Sequence, residues 1–148
     1  MPTKRTPKKT RRADRVAVQI TVAGAPSAAL LRRYAREASR ADIALRVVGR
    51  AEGRRLNYRF RKKNYPTNVL SFPYGKGSGD IVLCHPVIAR EARAQGKSLR
   101  AHYAHLVVHG VLHLRGHDHL RKADAARMER AEIRILRRLG FSDPYTVK

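Results

Sequence analysis

Apolar and polar positions alternate from Arg15 to Ala23, with Val16, Val18, Ile20 and Val22 on one face, and this period of two predicts a half-buried strand. Gly24 to Ser27 makes a turn in which Ser27 can cap a helix over residues 28–39. Leu30, Leu31 and Tyr34 of that helix face inward, while Arg32, Arg33 and Arg36 face outward. Ala44 to Val48 reads as a second strand. Glu52 to Arg61 reads as a helix with Leu56 and Phe60, four residues apart, as its buried stripe. Pro66 fixes its own φ and drives Tyr65 out of the helical region, so Asn64 to Asn68 is a turn. Two further strands, Val69 to Phe72 and Gly79 to Leu83, flank a glycine-rich gap and are expected to pair as a hairpin with a loose loop.

The second half is helical in its spacing. Pro86 suits the first turn of a helix that runs to about Ala94 and ends at Gly96. Ser98 can cap the next, through Leu114. Its apolar stripe is Leu99, Tyr103, Leu106, Gly110 and Leu114, and His102, His105, His109 and His113 share the adjacent face. A last helix, from about Leu120 to Leu139, buries Met128, Ala131, Ile135 and Leu139 and turns Arg127, Arg130, Arg134 and Arg137 outward. Gly140 and Pro144 stop it. The expected fold is α+β: a single domain over residues 15–148, with a mixed sheet of about four strands packed against about five helices. A disordered basic arm, residues 1–14, precedes it.

Charge narrows the class of partner. Lysine and arginine number 33 against 11 acids, a net +22 over 148 residues. Residues 1–15 hold seven bases and one acid, which leaves +16 on the remainder, so the bias belongs to the folded part as well. Such a chain favours polyanions, nucleic acid first among them. The single cysteine, Cys84, sits in an apolar run and reads as a buried small side chain; with one cysteine, neither a disulfide framework nor a Cys-rich zinc module forms within the chain. No run approaches the ~18–20 apolar residues of a membrane span, and the N-terminus has no apolar signal core, so the expected location is the cytoplasm.

The densest chemistry lies in His109 to His119, HGVLHLRGHDH. His109 and His113 fall one helical turn apart on one face, where both imidazoles can reach one ion. Gly116 can then turn the chain back so that a third histidine, His117 or His119, joins them. A triad of His105, His109 and His113 fits less well. Its outer members stand about 12 Å apart along the axis, against zinc–nitrogen bonds of about 2.0–2.1 Å. Three nitrogens with an open fourth position describe a catalytic metal site, and Asp118 is placed to orient a ligand or accept a proton.

This stretch resembles two families. Its spacing is similar to the metzincin signature HExxHxxGxxH, but Gly110 stands where those proteases carry the glutamate that serves as general base. It more closely resembles the YbeY endoribonucleases, and a second block supports that likeness: Leu56-Asn57, Arg61, Pro66 to Pro73, and Gly79-Asp80-Ile81-Val82. The resemblance, over roughly residues 43–145, implies one zinc-like ion on His109, His113 and His119, with nickel or another divalent metal as the alternative. It implies metal-dependent cleavage of single-stranded RNA, with His113 and Arg61 in the catalytic machinery. It also implies 16S rRNA 3′-end maturation and ribosome quality control, with the small ribosomal subunit and its assembly factors as partners and neither DNA nor membrane. The short loop at Tyr74 to Ser78 and the basic arm depart from the family core. Two other readings compete: a ribosome-binding assembly factor with a structural metal, and a zinc-dependent hydrolase of another substrate.

Overall fold

The computed structural model describes residues 16–118 and 120–146. The basic arm, Arg15 and His119 lie outside the described residues. Five helices and four strands follow in the order β1 (Val16–Ile20), α1 (Ala28–Ala38), β2 (Ile43–Val48), α2 (Arg50–Arg61), β3 (Val69–Gly75), β4 (Ser78–Cys84), α3 (His85–Gln95), α4 (Leu99–Leu114) and α5 (Lys122–Arg138). The sheet runs β1-β2-β4-β3. β1, β2 and β4 are parallel, and β3 returns antiparallel to β4 with Leu70 opposite Val82 and Phe72 opposite Asp80. The fold is the α+β mixed sheet expected from the sequence.

Alternation sorts the sheet into two faces. Val16, Ile43, Leu45, Val47, Ile81 and Leu83 point to the side covered by α1 and α4, and α5 packs on the far side of α4. Val48, Leu70, Val82 and Cys84 point to the side covered by α2 and the start of α3. α4 is therefore enclosed on most sides: Tyr103, Val107, Val108, Val111 and Leu112 are fully buried. Its expected apolar stripe is really most of its circumference, and beyond the first turn only the His105, His109 and His113 face stays partly open. Cys84 is buried, as expected, and burial pushes its thiol pKa up.

The caps are those expected. Ser27 Oγ accepts from the Leu30 N–H at 3.2 Å, and Ser98 Oγ accepts from the Ala101 N–H at 3.1 Å. The hairpin corrects the expectation of a loose loop. β3 and β4 extend to Gly75 and Ser78, leaving the two residues Lys76 (φ 55°) and Gly77 (φ 81°) in left-handed conformation, a tight turn that matches strand twist. Pro73 and Gly75 absorb a register irregularity just before it.

α2 gives the other correction. Leu56 is partly buried, and the buried positions are Gly53 and Asn57, while Phe60 stays 47 % exposed. Gly53 lets the helix settle on Cys84, since a Cβ there would stand 2.9 Å from its sulfur. The C-terminal turn of the helix reaches β3, where the Phe60 ring meets Phe72 edge-on. Buried Asn57 donates from Nδ2 to the Tyr65 carbonyl at 2.6 Å and so shapes the turn that delivers Pro66, Thr67 and Asn68 to the site.

Candidate active site

α4 ends where its last imidazoles are needed. Gly116 adopts φ 96°, the Gly116 N–H bonds the His113 carbonyl at 3.0 Å, and the His117 N–H bonds the Leu112 carbonyl at 3.0 Å. This is a Schellman stop, which glycine allows at that position. The returning chain presents the His117 carbonyl to His113 Nδ1 at 3.0 Å. A carbonyl only accepts, so the proton of His113 is on Nδ1. One turn earlier, His109 Nδ1 is hydrogen-bonded to Glu132 Oε2 of α5. A carboxylate also only accepts, so His109 too is protonated on Nδ1.

The consequence is geometric. His109 Nε2 and His113 Nε2 face one another at 3.1 Å, and in the neutral rings each carries a lone pair. Two lone pairs so placed repel unless a positive charge is shared between them. Two nitrogens at about 2.0–2.1 Å from one tetrahedral ion stand about 3.3–3.4 Å apart, so this pair fits a divalent metal. Both rings are also held from behind by an acceptor on Nδ1, the arrangement that orients metal-binding histidines.

The pair opens into a cavity of about 470 Å³ lined by Arg61, Thr67, Asn68, Val69, Ser71 and Pro73. The two sequence blocks thus meet in one space. Ser71 Oγ donates to the Gly110 carbonyl at 3.4 Å, and Asn68 is tied by Nδ2 to Glu91, which also accepts from buried His102. A larger cavity, about 770 Å³, lies between residues 95–98 and 140–146 and carries no histidine.

Glu132 was not singled out by sequence. It is fully buried and accepts from His109, from His105 Nε2 at 3.4 Å and from the Tyr145 hydroxyl. Burial alone would push its pKa up, but these hydrogen bonds outweigh burial and bring it to about 2. The signal was available: Glu132 falls four residues after Met128, inside the apolar register of α5. His105, His109 and Glu132 have donor atoms all within 4.8 Å of one another and could themselves hold an ion. Their carboxylate, however, is enclosed and already accepts from three donors, whereas His109 and His113 line the cavity. The other sequence candidates divide. Arg61 shares the cavity; His119 lies outside the described residues; and Asp118 Oδ1 accepts from the Leu120 N–H at 3.2 Å, which uses it in the turn.

Gly110 has a packing reason. A Cβ there would stand 3.2 Å from Ile81 and from Ser71 Oγ, so the position faces the sheet. Restoring the protease glutamate by Gly110→Glu would press a carboxylate into that contact. Thermal unfolding should move down by roughly 5–10 °C, with no peptidase activity gained. An unchanged Tm in calorimetry would contradict this packing.

A mixed α/β domain that turns two imidazoles into an open cavity beside a guanidinium has the makings of a metal-assisted hydrolase acting on an anionic substrate. The family model described as "Endoribonuclease YbeY" matches residues 8–140. The chain is 53 % identical over 128 residues to the endoribonuclease YbeY of Aromatoleum aromaticum, covering 83 % of each chain. It is 55 % identical over 114 residues to that of Bordetella petrii, covering 74 % of each. The chain belongs to the endoribonuclease YbeY family, whose members are named as endoribonucleases. The family match takes in β1 and α1, which the motif blocks did not reach, and begins within the basic arm. The fold is shared with a solution structure from Thermotoga maritima, at TM-score 0.54 and 24 % identity, covering 89 % of this chain and 99 % of that one.

Proposed function

We propose that this protein is a metal-dependent endoribonuclease that cuts single-stranded RNA in its 470 Å³ cavity. His109, His113 and His119 hold one divalent ion in this reading, zinc by ligand type with nickel as the alternative. The observation that carries it is the Nε2 pair at 3.1 Å, both rings protonated on the opposite nitrogen, beside Arg61. When bound there, such an ion lowers the pKa of a coordinated water and polarises a phosphoryl oxygen. The chain does the rest. Arg61 binds the scissile phosphate with its planar fork and offsets charge that builds on it in the transition state. Thr67, Asn68 and Ser71 line the wall against which the strand lies. Glu132 and the His117 carbonyl keep the two rings aimed. The net +22 collects RNA in a salt-dependent way.

The finer reading rests on the family. It assigns the protein to the cytoplasm, to 16S rRNA 3′-end maturation, and to ribosome quality control with the small subunit and its assembly factors. Arg61→Ala tests the chemistry: metal content should stay at the wild-type level while kcat/KM on single-stranded RNA falls about 100- to 1,000-fold. Unchanged turnover would remove Arg61 from the mechanism. RNA or ribosome binding without cleavage, in nuclease-free wild type with full metal, would favour the assembly-factor reading instead.

A further inference from the structure

Five of the nine aromatic residues fall between positions 58 and 74: Tyr58, Phe60, Tyr65, Phe72 and Tyr74. Tyr58, Phe60, Tyr65 and Tyr74 are 47–58 % exposed. Arg59, Arg61, Lys62, Lys63 and Lys76 are interleaved with or adjoin them, and residues 58–76 contain no acid. Single exposed apolar side chains need no explanation, but a cluster rimmed by one sign of charge marks a contact surface.

Two of the rings belong to residues that adjoin the cavity lining in the chain without lining it themselves. Arg61 and Pro73 line it, Phe60 precedes the one and Tyr74 follows the other. Both rings are also fixed. Phe60 meets Phe72 edge-on, with centroids 5.0 Å apart and planes at 67°, and the Arg59 guanidinium stands 5.4 Å from the Phe60 centroid. The Tyr74 hydroxyl is hydrogen-bonded to Asp80, which is 4 % exposed. A tyrosine that merely solvates a surface needs no anchor to a buried carboxylate. An anchored ring presents a ready face without losing side-chain entropy on binding.

We propose that Phe60 and Tyr74 are base-stacking platforms that receive unpaired nucleobases of the RNA on either side of the phosphate held at Arg61. This rests on the reading of the cavity as a site for RNA. The uniform positive charge selects a polyanion, and exposed ring faces select one whose bases are unstacked, since a duplex hides them. The platforms thereby make single-strandedness a binding requirement, set outside the metal site.

The test uses metal-loaded full-length protein and short single-stranded RNA with 2′-O-methyl riboses and 2-aminopurine, whose fluorescence drops when it stacks. Wild type should quench it. Phe60→Leu and Tyr74→Leu, which keep apolar contacts with their neighbours, should lose quenching and bind about tenfold more weakly, with binding of an abasic oligomer of equal charge unchanged. Tyr74→Phe keeps the ring and should retain quenching. Equal wild-type affinity for abasic and base-bearing strands would overturn the platform, as would unaltered quenching in both leucine variants. A leucine variant that loses a protein partner but binds RNA normally would also overturn it. Normal cleavage without quenching sinks the platform alone, whereas metal-loaded wild type that neither binds nor cuts RNA sinks the reading of the site with it.

Discussion

Replacing His113 by alanine is expected to empty the site of its ion and to lower RNA cleavage by about a thousandfold or more. The magnitude follows from the several kcal/mol of charge stabilisation that a metal supplies at a phosphoryl centre, at about 1.4 kcal/mol per decade of rate. The structural reason is that His109 Nε2 and His113 Nε2 form a converging pair at 3.1 Å, and the substitution deletes half of it. The fold should survive. His113 is only partly buried, and its side chain contributes one hydrogen bond to the turn, worth about 1 kcal/mol. The main-chain bonds of Gly116 and His117 that stop α4 do not involve the imidazole. Metal content per chain, measured on wild type and variant purified alike, should fall together with cleavage, while circular dichroism melts stay within a few degrees. A variant that kept both its metal and its activity would refute the assignment of His113.

Much of this site was legible because its geometry is local. Residues four apart on a helix must share a face, and a glycine after the last turn can adopt the φ that other residues avoid, so His109, His113 and Gly116 could be read without a structure. The same holds for Ser27 and Ser98, whose caps act within three residues. What periodicity cannot say is how far a neighbouring element extends. Leu56 and Phe60 share one helix face, but Phe60 meets the Phe72 ring on the edge strand β3, so about half of it is left in solvent. The loop between β3 and β4 was expected to be loose for a related reason: the turn is set by pairing across the two strands, and that pairing holds Lys76, a non-glycine residue, in a left-handed conformation. For Glu132 the register of α5 carried a signal of burial but none of its partner: only the packing of α5 on α4 brings it to a histidine 23 residues earlier.

That carboxylate allows the two donor sets to be separated. If the ion sits on the Nε2 pair, Glu132 only holds His109 in place from behind. Glu132→Gln then keeps the shape and one acceptor oxygen but loses the charge that fixes the ring and raises its basicity. Metal affinity should fall about 10- to 100-fold, excess metal should restore most of the activity, and thermal stability should drop, because the buried side chain accepts from His105, His109 and Tyr145. If instead His105, His109 and Glu132 were the ligands, Glu132→Gln would delete a ligand outright, excess metal would not restore activity, and His113→Ala would still load. The two variants therefore predict opposite patterns under the two arrangements. Metal titration of both, followed by a cleavage assay at saturating metal, decides between them. A Glu132→Gln protein that binds metal as tightly as wild type would show that the ring of His109 is held by the turn of α4 alone, and that the buried carboxylate belongs to the packing of α5 and not to the site.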